Sequence, residues 1–159
     1  MKKILVVYYS RTGTTEKVAG QLAKKLDADL EEIVDQNSRK GVVGYLRSGR
    51  DAIRKKEIFI EPVKKDPAQY DLVVIGTPVW AFTMSAPVRT YLNSYKDKFN
   101  QIAFFTSQGG DKEQKVFKDM ERLAGKPSMA RMFITTKEAV NDKFAGKLDE
   151  FIQQLSARY

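Results

Sequence analysis

The sequence contains neither cysteine nor histidine. The first absence excludes disulfides, thiolate nucleophiles, iron–sulfur clusters and cysteine-ligated zinc. The second excludes a Ser–His triad, an imidazole general base and the usual imidazole metal ligands. No apolar run approaches the ~18–20 residues needed to span a bilayer. The N-terminal run Ile4–Tyr9, behind Met1-Lys2-Lys3, is too short for a signal-peptide core, and Arg11 follows it without a small-residue cleavage site. These features predict a cytosolic protein that does not enter membranes. Demanding chemistry is left to carboxylates, hydroxyls, backbone amides or a borrowed cofactor. No catalytic side chain and no metal ligand set stands out.

The 159 residues, 42% of them apolar, suit one domain over residues 1–159 that buries its own core without a staple. The net charge is +8. Much of the excess is clustered: between Gln36 and Lys65 stand Arg39, Lys40, Arg47, Arg50, Arg54, Lys55, Lys56, Lys64 and Lys65, against Asp51, Glu57 and Glu61. Such a field serves solubility or attracts an acidic partner, an anionic ligand or nucleic acid. Arg47, Arg50, Arg54 and Lys55 read as the solvated face of a helix, which disfavours nucleic acid.

Apolar strands alternate with amphipathic helices along the chain. Lys3–Tyr9 reads as a buried strand, followed by a helix with Val18, Leu22 and Leu26 on one side. Asp29–Val34 is a second strand. Val42, Leu46, Gly49 and Ile53 recur at helical spacing, although Gly44 and Gly49 weaken a helix there. Ile58–Val63 is a short extended piece, and Asp71–Gly76 a third strand. Val88, Tyr91, Leu92 and Tyr95 mark a helix whose first turn accepts Pro87. Ile102–Thr106 is a fourth strand, Val116–Leu123 a helix, Met129–Thr135 a fifth strand, and Phe144–Leu155 a last helix. Five β-α units imply an α/β fold, a parallel sheet covered on both faces. Ligands of such sheets bind outside the carboxyl ends of the strands, where strand order reverses. The loops after Tyr9, Gly76 and Thr106 are therefore the candidate site.

The first loop, Ser10-Arg11-Thr12-Gly13-Thr14-Thr15, places four hydroxyls and a glycine between a strand and a helix N-terminus. Glycine lets the backbone curl so that successive N–H groups converge, and the helix dipole adds positive potential. One hydroxyl of Ser10 or Thr12 would suffice to cap the helix; four point instead to a phosphate. Neither the P-loop pattern with its lysine nor the G-x-G-x-x-G dinucleotide pattern is present, which argues against ATP, GTP and NAD in this loop. A terminal phosphomonoester fits.

This segment resembles the phosphate loop of the flavodoxin family, Ser/Thr-x-Thr-Gly-x-Thr, in its expected place after the first strand. The resemblance extends over nearly the whole chain. It implies a doubly wound, five-stranded flavodoxin-like sheet of order 2-1-3-4-5. It implies FMN as cofactor, with the 5′-phosphate held by Ser10, Thr12, Gly13, Thr14 and Thr15 and by the backbone of Arg11. The chain looks short-chain, with a basic elaboration over Asn37–Lys56.

The second loop, Thr77-Pro78-Val79-Trp80-Ala81-Phe82, carries the one tryptophan of the sequence. An indole there would supply stacking area for a flat isoalloxazine. Its Gly-Thr-Pro-Val-Trp run is similar to the first flavin-contacting loop of many flavodoxin-like proteins, and Trp80 is the expected stacking ring. In the third loop, Ser107-Gln108-Gly109-Gly110, paired glycines let backbone amides approach the flavin's pyrimidine edge. It has no aromatic, unlike the same loop of typical flavodoxins.

Typical flavodoxins are acidic and this chain is basic. Positive charge near a flavin stabilises its anionic hydroquinone, so a higher potential than in acidic carriers is expected. The expected function is electron transfer to or from a partner protein with an acidic docking surface. The alternative is an NAD(P)H-dependent FMN quinone reductase. A response-regulator receiver is excluded, because Tyr8-Tyr9-Ser10 stand where its acidic residues belong.

Overall fold

The computed structural model describes residues 2–37, 41–55, 57–113 and 115–158. The strands are β1 (Ile4–Tyr8), β2 (Asp29–Glu32), β3 (Leu72–Trp80), β4 (Thr83–Met84), β5 (Gln101–Gln108) and β6 (Arg131–Thr135). The helices are α1 (Thr14–Leu26), α2 (Gly41–Ile53), α3 (Ala86–Tyr95), α4 (Val116–Ala124), α5 (Thr136–Val140) and α6 (Ala145–Ala157).

The sheet runs β2-β1-β3-β5-β6 with every pairing along that path parallel, and β4 folds back antiparallel onto β3. With β4 counted as a hairpin appendage, this is the expected doubly wound order. The two-residue side-chain period of the strands divides the core. Leu5, Val7, Val73, Ile75, Ile102 and Phe104 face α3 and α4, while Val6, Val74, Ala103 and Phe105 face α1 and α6. Because both faces are buried, the central strands are continuously apolar rather than alternating. Gly76 has a local steric reason: a Cβ there would stand 2.0 Å from the Phe105 ring.

Several elements differ from the sequence reading. The third strand does not end at Gly76; it runs on through Thr77, Pro78 and Val79 to Trp80. β1 ends at Tyr8, opposite Gly76, so beyond that point β3 has a neighbour on one side only, the edge-like setting that tolerates proline. The fourth strand likewise extends through Ser107 and Gln108. Ile58–Val63 forms no strand, only an isolated bridge between Ile60 and Asp35. The helix of the basic stretch forms, but its buried side is Gly44, Ser48, Asp51 and Ala52. The row Val42, Leu46 and Ile53 is instead 76%, 64% and 70% exposed. Arg39, Lys40 and Lys56 of that stretch lie outside the described residues.

Candidate functional site

The first loop leaves β1 at its carboxyl end and opens α1. Gly13 is the N-cap, with φ +95°, a conformation that glycine adopts without strain. Its N–H donates to Ser10 Oγ at 3.0 Å, which closes a tight turn. Being glycine, the N-cap residue has no side chain to accept from the N–H groups that follow it. The N–H groups of the first turn have no partner inside a helix and are satisfied by caps, water or ligand. Of the capping role that the sequence left open for Ser10 or Thr12, Ser10 takes one part, accepting the N–H of the N-cap residue. Thr12 is exposed, and Ser10 and Thr14 are half-buried. Thr15 is buried and shares a 2.7 Å hydrogen bond with Ser107 Oγ, so its hydroxyl joins the first loop to the third. The Arg11 guanidinium lies 5.4 Å from the centre of the Tyr45 ring on α2.

The second segment is a hairpin. Trp80 pairs with Thr83 and Val79 with Met84, leaving Ala81 and Phe82 as a two-residue turn. Both have positive φ, +47° and +67°, the type I′ signature that normally selects Asn and Gly. Strain of this kind, stored in non-glycine residues, concentrates at functional sites. The turn presents Phe82 at 77% exposure. Trp80 is 9% exposed and meets Tyr9 edge-on, with ring centres 5.5 Å apart. Of the two rings, Trp80 is the fixed one and Phe82 the open one. Thr77 points inward: its Oγ1 accepts from the Ser85 N–H at 3.0 Å.

In the third segment Gln108 is buried, and its side chain organises the turn that follows. The amide donates to Gly110 O at 3.0 Å and to Lys112 O at 2.7 Å, while Oε1 accepts from Thr106 Oγ1 at 3.0 Å. Gly109 and Gly110 are exposed, and a Cβ on Gly109 would meet nothing within 4 Å. Its open backbone is free for a ligand to approach.

The structure thus brings the three predicted segments together at one edge of the sheet. It also adds residues that were not predicted. Tyr45, Leu46, Gly49 and Ile53 of α2, and Arg54 just after it, face Val79, Trp80 and Ala81 across a cleft of about 470 Å³. Their signal was present in the helical spacing, but spacing does not say which way such a row faces. The Tyr8 phenol, at the end of β1, is pushed up to about 12 by burial and then by Glu32 and Glu16, so it is neutral at physiological pH. Among the described residues no cluster of acidic side chains could hold a metal. No described helix is long and apolar enough to cross a membrane.

A doubly wound parallel sheet with a glycine-capped, hydroxyl-rich turn at its switch point is the architecture of the nucleotide-binding α/β class. The model of the flavodoxin family matches residues 3–144, and the chain belongs to that family. Among solved structures it is similar to a flavoprotein in complex with FMN from Lactobacillus acidophilus NCFM, at 26% identity and TM-score 0.71 over 91% of this chain and 99% of that one. It also resembles general stress protein 14 in complex with FMN from Treponema denticola (14% identity, TM-score 0.60, 98% of both chains). A third likeness is the flavodoxin, WrbA-like protein from Agrobacterium tumefaciens, at 13% identity and TM-score 0.54 over 97% of this chain and 99% of that one. The last two similarities are of fold. No curated protein matches the sequence.

Proposed function

We propose that this protein binds FMN across the three segments and passes electrons to or from a partner protein with an acidic surface. The observation that carries this reading is the turn that opens α1: its N-cap is Gly13, which has no side chain to occupy the first-turn N–H groups, and the hydroxyls of Ser10, Thr12 and Thr14 stand in the same turn. An arriving phosphomonoester would meet backbone N–H groups, the hydroxyls of Ser10, Thr12 and Thr14, and the positive end of the helix dipole. Arg11 adds a cation beside the loop and offsets Glu16 in the first turn. Phe82, held out at the turn, offers aromatic surface for a flat ring, and the buried Trp80 backs the hairpin that carries it. The exposed backbone of Gly109 and Gly110, held by Gln108, offers amide donors.

Bound FMN supplies one- and two-electron chemistry. The chain's own contribution is to hold the cofactor, exclude water on the Trp80 side and surround it with positive charge. The net charge of +8 favours encounter with an acidic partner, at a rate that falls with salt.

The cleft between α2 and the hairpin favours a second reading, an NAD(P)H-dependent reductase, because it offers room for another aromatic ligand. Visible absorption of the purified protein with added FMN, then anaerobic NADPH, tests both. Bound flavin that bleaches only when a reductase protein is supplied supports the carrier. Fast bleaching by NADPH alone selects the reductase. Failure to take up FMN overturns both.

A further inference from the structure

The cleft of about 470 Å³ lies within the ~300–1,000 Å³ of small-molecule sites. Among the described residues its walls are α2 with Arg54 just beyond it, and the hairpin; none of Ser10–Thr15 or Ser107–Gly110 lines it. It therefore stands apart from the phosphate loop and meets the proposed flavin site only along Val79–Ala81. One wall is the strand carrying Trp80, fixed edge-on by Tyr9. The other is formed by Leu46 and Ile53 around Gly49, where a Cβ would meet nothing within 4 Å. A cleft with apolar side chains on both walls and open space at Gly49 has room for a flat ring system.

Its rim is cationic. Arg50 and Arg54 both line it. Arg50 lies 3.4 Å from the buried carboxylate of Asp51, whereas Arg54 makes no ion pair among the described residues. One positive charge at the mouth is left uncompensated. We infer that this cleft binds a flat aromatic anion, of the class of sulfonated or carboxylated quinones. The redox use of such a ligand rests on the proposed flavin reading; its binding does not.

Trp80 is the one tryptophan of the sequence and lines the cleft, so its fluorescence reports occupancy. The test titrates anthraquinone-2-sulfonate, and neutral 2-methylanthraquinone, into the full chain without FMN by fluorescence and with saturating FMN by calorimetry. The expected result is saturable binding in both states, tighter for the anion. Arg54→Gln should raise the Kd of the sulfonate about five-fold, the worth of one solvent-exposed ion pair, and leave that of the neutral ring unchanged. Ile53→Glu, at an exposed position that the fold does not need, should weaken both ligands. No saturable quenching, equal affinity for the two ligands with no effect of Arg54→Gln, or displacement of the sulfonate by FMN would each overturn the inference. FMN uptake, followed by absorbance in the same samples, separates the two claims. Uptake without sulfonate binding sinks the cleft alone, and sulfonate binding without uptake sinks the flavin reading alone.

Discussion

Thr15 and Ser107, 92 positions apart, share a buried 2.7 Å hydrogen bond that ties the start of α1 to the end of β5. It sets the spacing between the segment expected to hold a phosphate and the one expected to meet a ring. A buried hydroxyl that loses its partner costs about 1–3 kcal/mol, whereas the bond itself is worth about 0.5–1.5 kcal/mol net. Thr15→Val and Ser107→Ala should each destabilise the fold by about 1–2 kcal/mol in urea denaturation. The double variant should cost less than the sum, because neither partner is then orphaned. Each single change should also weaken FMN, measured by flavin fluorescence. Strict additivity would show that the two side chains do not act as a pair.

The hairpin stores strain. Ala81 and Phe82 occupy left-handed backbone at about 1–2 kcal/mol per residue, which asparagine and glycine there would largely relieve. Phe82→Gly should raise the thermal midpoint of the FMN-free protein, and Ala81→Asn should raise it by less. If Phe82 is held out for the flavin, the glycine variant will be more stable yet bind FMN more weakly. Higher stability with unchanged FMN affinity would make the turn a tolerated imperfection and not a device of the site.

The five parallel strands and the longer helices were legible in the sequence because their periods are local, while the order of the sheet came with the resemblance to the flavodoxin family. The turn at Ser10–Gly13 was legible because a glycine between an apolar strand and an amphipathic helix marks one. The extension of β3 through Pro78 was not, since proline signals a strand end unless the missing neighbour strand is known. Nor was the direction of the Val42–Ile53 row, because a helical period fixes a face but not what that face meets. The short helix α5 had a readable signal, Thr135 with Glu138 three residues on, which is a capping box. It was lost between the fifth strand and the last helix.

That box also fastens the site. Thr136 Oγ1 donates to Gln108 O, so the first residue of α5 braces the third segment. Partial burial alone would raise the Glu138 pKa. The Thr135 N–H and hydroxyl and the Lys147 ammonium outweigh it and hold the carboxyl below its ordinary value of 4.5. The folded state therefore releases this proton more readily than the unfolded chain. The contribution to stability is complete above the ordinary glutamate range and is lost as pH falls through the lowered folded value. Glu138→Gln should destabilise the protein at neutral pH and flatten its loss of stability between about pH 5 and pH 3. Parallel pH profiles for the two proteins would count against this linkage.

Arg11 gives the sharpest electrical test, since its guanidinium sits beside the first loop, over Tyr45. A nearby cation favours the extra negative charge of a reduced flavin, so Arg11→Gln should lower the two-electron midpoint potential of the FMN-loaded protein. Lys25→Gln is the control. It removes the same charge from the last turn of α1, where Lys25 pairs with Asp149 at the far end of the helix. At 0.1 M salt, exposed charges are largely screened beyond about 10 Å. Lys25→Gln should therefore leave the potential near its starting value at that ionic strength. If potentiometry finds equal drops for the two variants, the diffuse charge of the whole chain sets the potential, and Arg11 has no special part in it.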